Sequence, residues 1–194
     1  MEKKKTTKKV DKKEPKEVKE ITKFTITLTA ERCFAKDEGE ARVVYDESRF
    51  GELKSGKIVY ACVEALFLLE KGRIDLKEDG KKALTFDQAI QKVKKFEPNV
   101  LIRYVVYKDM RNRGYIVKTA LKFGADFRVY DRGVKPGEDH AKWVLFPVHE
   151  GSVLTWHEFS AKNRVAHSTR KRLLLGIVDE EHDVTYYSVA WTRP

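Results

Sequence analysis

Apolar side chains fall along this chain in blocks whose period switches between two and about three and a half, and the switches set out the elements. Phe24 to Leu28 alternates apolar residues with threonine, and Ala41 to Tyr45 is a second β-rich run, so a small sheet is predicted there. Beyond turns at Gly51 and Gly56, Tyr60 to Lys71 places Val63, Leu66 and Phe67 on one helical face and stops at Gly72, a natural left-handed cap. Thr85 followed three residues later by Gln88 is a capping box, opening a second helix that ends before Pro98.

Pro98 is the best boundary in the chain, because the residue before a proline is steered out of the helical region. A helix is predicted over Val100 to Arg113, closed by Gly114. Two strand-like runs then flank the polar break Lys122-Phe123-Gly124-Ala125-Asp126, and a Gly/Pro-rich loop ends on His140. A strand from Lys142 to His149 follows, and a second capping box, Thr155 with Glu158, opens a helix reaching about Ser168. Leu173 to Val178, an acidic turn and Val184 to Trp191 close the chain as a hairpin. The expected organisation is α+β: a tail over residues 1–23, an N-terminal α+β domain over 24–98, and a C-terminal domain over 99–194 of mostly antiparallel strands with flanking helices.

Charge sharpens this division. The formal net charge is +10; residues 1–23 hold ten lysines against five acids, residues 24–98 are balanced, and residues 99–194 hold sixteen bases against eleven acids. With only Val10, Val18 and Ile21 as larger aliphatics after the initiator methionine, the tail is expected to be disordered, as a solubilising segment or an RNA-attracting arm. A C-terminal domain that stays positive despite Asp179-Glu180-Glu181 points to a polyanionic partner, with solubility alone as the blander reading.

Cys33 and Cys62 stand far apart without CxxC spacing, so neither a disulfide framework nor a zinc site is expected, and a reducing cytoplasmic compartment suits them. The longest apolar run, Ile58 to Leu69, is broken by Glu64 and falls short of the roughly 18 residues a spanning helix needs. No membrane partner and no secretory signal are expected.

The loop ending on His140 concentrates the candidate chemistry. Tyr130 sits at its lip and His140 lies ten residues on, so two proton-transfer groups can face one ligand, with Lys171 a later charged candidate. Phosphate-cradling loops, dinucleotide fingerprints, nucleophile elbows and HExxH pairs are missing from the sequence. Asp126, Asp131, Glu138 and Asp139 fall in or near a loop without the strand spacing usual for clustered metal-binding carboxylates, so neither a metal nor any other cofactor is expected. RNA can be cut without metal: its own 2′-hydroxyl attacks, and the protein supplies a base, an acid and a cation for the charged transition state. Each candidate also has a structural reading. Tyr130 could be a half-buried aromatic, Lys171 a solvated member of Arg170-Lys171-Arg172, and His149, His157, His167 and His182 rival His140, with His167 read as structural. A tyrosine of ordinary pKa near ~10 also needs neighbouring cations to act as a base at neutral pH.

GYIVKTALKFGADFRVYDRG, EDHAKW and RVAHSTRKRLL, in that order, resemble the archaeal tRNA-intron splicing endonucleases, and GKIVYACVEALFLLEKGRI and YVVYKDMRNRGYIVKT extend the likeness to most of residues 41–194. The resemblance implies a small N-terminal α/β domain, a nuclease-like C-terminal domain, and metal-independent cleavage of precursor tRNA at bulge-helix-bulge junctions, leaving a 2′,3′-cyclic phosphate and a 5′-hydroxyl. It implies Tyr130 as general base, His140 as general acid and Lys171 as the transition-state cation. It also implies a sandwich around a bulged base, with Arg164 as one member and Tyr186, then Trp191, as the choices for the other. Asp179, Glu180 and Glu181 would dock into a partner subunit, giving a homotetramer in preference to a heterotetramer with a paralogous subunit. A non-catalytic RNA-binding or structural subunit on the same fold is the alternative function.

Overall fold

The protein is described by a computed structural model covering residues 22–29, 32–120 and 124–192. Most of the tail read as disordered, residues 1–21, lies outside these described residues, as do Lys122 and Phe123 of the polar break.

The first sheet contains β1 (Phe24–Leu28), β2 (Cys33–Lys36), β3 (Glu52–Lys54), β4 (Lys57–Tyr60) and β5 (Ile74–Glu78), in the order β3-β4-β2-β1-β5. β1 runs parallel to β5, with Phe24 opposite Ile74, and the other pairs are antiparallel. The strand expected at Ala41–Tyr45 is instead helix α1 (Gly39–Ser48). Its valines favour a strand, but Ala41 and Val44, three residues apart, are the positions it buries, while Arg42 bonds Asp46 four residues on at 2.9 Å. Helical spacing of the buried pair overrides β propensity here.

Helix α2 (Cys62–Glu70) buries every residue from Cys62 to Leu68, more than the single face the sequence implies. It is enclosed by the first sheet on one side and by α3 (Phe86–Val93) and α4 (Val100–Asn112) on the other. Thr85 caps α3 as expected: its hydroxyl accepts the Gln88 amide and the Gln88 side chain accepts the Thr85 amide.

The second sheet holds β6 (Ile116–Thr119), β7 (Phe127–Tyr130), β8 (Trp143–His149), β9 (Arg172–Val178) and β10 (Val184–Val189), in the order β10-β9-β8-β7-β6. Only β8 and β9 are parallel, and α5 (Trp156–Ser168) makes the crossover between them. Strand alternation gives the sheet two apolar faces. Phe127, Val129, Leu145 and Leu174 join the core containing Val106 and Tyr107 of α4, while Val144, Phe146 and Leu173 pack around Ala166 of α5. At Gly176 the backbone of β9 comes so near α4 that an added Cβ would lie 3.0 Å from Val106 Cγ1. Among the described residues no helix is long and apolar enough to cross a membrane.

Candidate active site

Alternation along β7 sorts its side chains between the two faces. Phe127 and Val129 go to the α4 core, which sends Arg128 and Tyr130 to the side covered by α5. Tyr130 is the last residue of the strand and is 5% exposed. Immediately after it the chain enters the loop carrying His140, closed at its base by Lys142, whose amide donates to Val129 O at 2.9 Å and whose ammonium reaches Asp131 Oδ2 at 2.6 Å. Arg132 lies over the Tyr115 ring at 5.0 Å, giving the loop a second anchor. Nearer its tip the Lys135 amide bonds Glu138 and the His140 amide bonds Asp139 Oδ1 at 2.6 Å, which leaves the His140 side chain exposed.

Lys171 is delivered by the end of α5. The Lys171 amide donates to Ala166 O at 2.9 Å and the Arg170 amide to His167 O at 3.0 Å, the paired bonds of a Schellman termination. That termination holds Arg170 in the left-handed region at φ 54, and Lys171 Nζ donates to Thr169 O at 2.9 Å, a cation at the carbonyl end of the helix.

These three deliveries converge. Tyr130, His140 and Lys171 line one cleft of about 380 Å³, floored by Arg128 and Val144 of the sheet with Ala120 just past β6, and walled by Ser168 at the end of α5 and its capping residue Thr169. Chemically the cleft offers a phenol, an imidazole and two cations, enough for proton transfer in both directions beside a phosphate. The nearby acids have other partners: Asp126 pairs with Arg103 at 2.9 Å and Asp131 with Lys142. Among the described residues no cluster of three His, Cys, Asp or Glu side chains is disposed to hold a metal. Cys33 and Cys62 are free and buried in the N-terminal domain.

Arg164 and Trp191 line a second cavity of about 350 Å³ with Ser160, Asn163 and His167. The four α5 positions are spaced three and four apart and form one stripe, and the His167 ring meets the Trp191 ring at 4.5 Å between centroids. Tyr186 is elsewhere. It packs against α4, its hydroxyl donates to Asp109 Oδ2 at 2.8 Å, and the Arg113 guanidinium lies 5.7 Å from its ring. Burial first, and then the bond to Asp109, push its phenol well above the ordinary value. The structure therefore brings Trp191, and not Tyr186, to Arg164. His167, read from the sequence as structural, is exposed and lines the same cavity.

In the acidic turn, Asp179 Oδ1 accepts the Asp183 amide at 2.8 Å, the Glu180 carboxylate lies 3.5 Å from His149 Nε2, and Glu181 is exposed. Arg128 is the cleft residue that the sequence reading passed over; counting back two from Tyr130 along an alternating strand would have found it.

A small α+β unit joined to a sheet with a helix on each face, open at a cleft of acid–base and cationic side chains, defines a two-part α+β protein equipped for proton transfer beside an anion. Comparison with known proteins gives the family. The tRNA intron endonuclease N-terminal domain matches residues 25–90, and the catalytic C-terminal domain of the same enzymes matches residues 100–186. The chain is 39% identical over 166 residues to the tRNA-splicing endonuclease of Thermococcus onnurineus, covering 86% of this chain and 95% of that one. It is 47% identical over 138 residues to the tRNA-splicing endonuclease of Nanoarchaeum equitans, covering 68% and 88%. The Pyrococcus furiosus tRNA-splicing endonuclease is 39% identical over 166 residues, with 86% and 95% covered. The chain belongs to the tRNA-splicing endonuclease family.

Proposed function

We propose that this protein cuts precursor tRNA at intron–exon junctions presented as a bulge-helix-bulge, without a metal. The observation that carries the reading is the meeting of Tyr130, His140 and Lys171 in one cleft, on a chain of this family. Tyr130 takes the proton of the 2′-hydroxyl, whose oxygen attacks the adjacent phosphorus. As the bond from phosphorus to the 5′-oxygen breaks, His140 gives that oxygen a proton, and Lys171 balances the extra charge on the phosphoryl oxygens. The products are a 2′,3′-cyclic phosphate and a 5′-hydroxyl.

Arg164 and Trp191 form the two walls that hold a bulged base, with the guanidinium on one face and the indole on the other. Two cuts on a pseudo-symmetric RNA favour an assembly with paired active sites. β10 is an edge strand of its sheet and Glu181 is exposed in the turn before it, which supports a homotetramer built through these two features.

The test is incubation of the purified chain with a bulge-helix-bulge RNA in excess EDTA. Two cuts per molecule are expected, and a 2′-deoxy substitution at each junction should abolish them. Cleavage that needs magnesium, or that survives the 2′-deoxy substitution, would overturn the mechanism; an intact RNA would mark the chain as a non-catalytic subunit.

A further inference from the structure

We propose that Arg128 is a further catalytic residue of this cleft, its guanidinium binding a non-bridging oxygen of the phosphate that is cut. The inference rests on the proposed cleavage reaction and names a group that reaction has not used. Arg128 stands on an interior strand, between Lys118 of β6 and Val144 of β8 in the ladder, and on the same face as Tyr130. Its side chain helps floor the cleft and its Nε is buried without a hydrogen-bond partner.

A guanidinium in the interior of a sheet loses hydration, and proteins normally offset that with a carboxylate. Here the acids and bases around it are otherwise engaged. Lys118 is bound by Glu64, Lys142 by Asp131, and Glu52 takes Lys54 at 2.9 Å. No carboxylate forms an ion pair with Arg128 among the described residues. The Glu52 carboxyl is held below its ordinary range chiefly by Lys54, with Lys118 and Arg128 adding smaller effects. A cation with no ion-pair partner among the described residues, lining an open cleft, is suited to an anion that arrives with the substrate.

The spacing suits the same role. Two residues of strand separate the Cα atoms of Arg128 and Tyr130 by roughly 7 Å on one face of β7, near enough for both long side chains to reach one phosphodiester. Lys171 enters from the end of α5 while Arg128 rises from the sheet, so a phosphate between them meets positive charge from two elements. The fork of donors on arginine also fixes the orientation of phosphoryl oxygens, which a lone ammonium does not.

The experiment compares wild type, R128K and R128Q in single-turnover cleavage of bulge-helix-bulge RNA, with and without one phosphorothioate diastereomer at the cut linkage. R128Q should slow the normal linkage by roughly 10²-fold, as loss of a transition-state donor does, with RNA affinity changed less than about threefold. R128K should recover part of the rate, and the thio effect of one diastereomer should shrink in R128Q. In parallel, the Arg128 Nε–H resonance, identified by its loss in R128K, should shift when the wild-type protein binds RNA carrying 2′-deoxy at the junction. R128Q cleaving within about threefold of wild type, a slowed variant with an undiminished thio effect, or a resonance that does not move in the RNA complex would each overturn the assignment. Wild type that fails to cut at all sinks the proposed reaction, while the resonance still decides whether Arg128 meets a phosphate.

Discussion

Lys118 Nζ stands 3.1 Å from Glu64 Oε1, with only 6% and 4% of the two side chains exposed, and this buried pair ties β6 of the C-terminal sheet to α2 of the N-terminal unit. Glu64 also accepts the Gly51 amide at 3.1 Å and the Ala61 amide at 2.9 Å, while the Lys118 ammonium donates to Gly51 O. Both Glu64 carboxylate oxygens are bonded and the Lys118 ammonium has two acceptors, the kind of satisfaction that lets a buried charge pair be tolerated. Because Lys118 is the ladder partner of Arg128, the lock between units also fixes the strand beside the cleft floor.

Removing one member should expose that dependence. Glu64→Ala strips three donors of their acceptor and leaves a buried ammonium, so it should cost about 3–5 kcal/mol. Lys118→Met leaves the carboxylate bonded to two amides and should cost less, about 1–3 kcal/mol. Urea unfolding of the two singles and the double should show a double loss smaller than the sum. Additive losses would mean that the pair does not act as a unit.

Arg170 gives a second prediction. It occupies the left-handed position after α5, at φ 54, where glycine is the usual residue, and its side chain is exposed. Arg170→Gly should relieve backbone strain and stabilise the fold by roughly 0.5–1 kcal/mol after the extra freedom of the unfolded chain is counted. The same change removes a charge from Arg170-Lys171-Arg172, so RNA binding should weaken and its salt dependence fall by about one ion. A higher melting temperature with unaltered RNA binding would show that the side chain has no role in holding RNA.

What was legible in the sequence was mostly local. The Thr155 and Thr85 caps act through bonds three residues long, and both form as their spacing implies. α1 was misread because its β-branched residues speak for a strand, and only tertiary burial of Ala41 and Val44 decides otherwise. The short strands β2 to β5 went largely unread for a similar reason: each gains its stability from partners distant in sequence, such as β5 from β1. At the cleft, the motifs singled out Tyr130, His140 and Lys171, but their meeting depends on α5 bringing β9 alongside β8. Which of Tyr186 and Trp191 would face Arg164 was likewise unreadable, since the period of a strand gives two faces without saying which helix covers each.

The acidic turn now calls for a narrower charge reversal than its sequence suggests. Asp179 holds the turn through the Asp183 amide, so reversing it would disturb the hairpin itself. Glu180 and Glu181 can be changed to lysine with that bond kept. If the turn docks on a partner subunit, the double change should convert tetramers to dimers by light scattering and remove cleavage, with circular dichroism unchanged. Asp179→Asn, which keeps an acceptor oxygen, should retain the folded hairpin. A tetramer that survives reversal of both glutamates would place the docking contact elsewhere.

The separation of Tyr186 from Trp191 yields the clearest contrast among substitutions. Arg164 and Trp191 share a cavity open to solvent, whereas the Tyr186 hydroxyl is taken by Asp109 and its ring packs against α4. A base stacked between a guanidinium and an indole loses about 1–3 kcal/mol when one wall goes, a reduction in affinity of roughly 5- to 150-fold. Arg164→Ala and Trp191→Ala should each show it, and the pair should lose less than the sum because either change already opens the sandwich. Tyr186→Phe should leave RNA affinity and cutting unchanged while lowering stability by about 1 kcal/mol through the lost bond to Asp109. Fluorescence anisotropy with a labelled bulge-helix-bulge RNA separates these effects. A Tyr186→Phe protein that binds as weakly as Trp191→Ala would put Tyr186 in the RNA site after all, and would mean that β10 shifts when RNA binds.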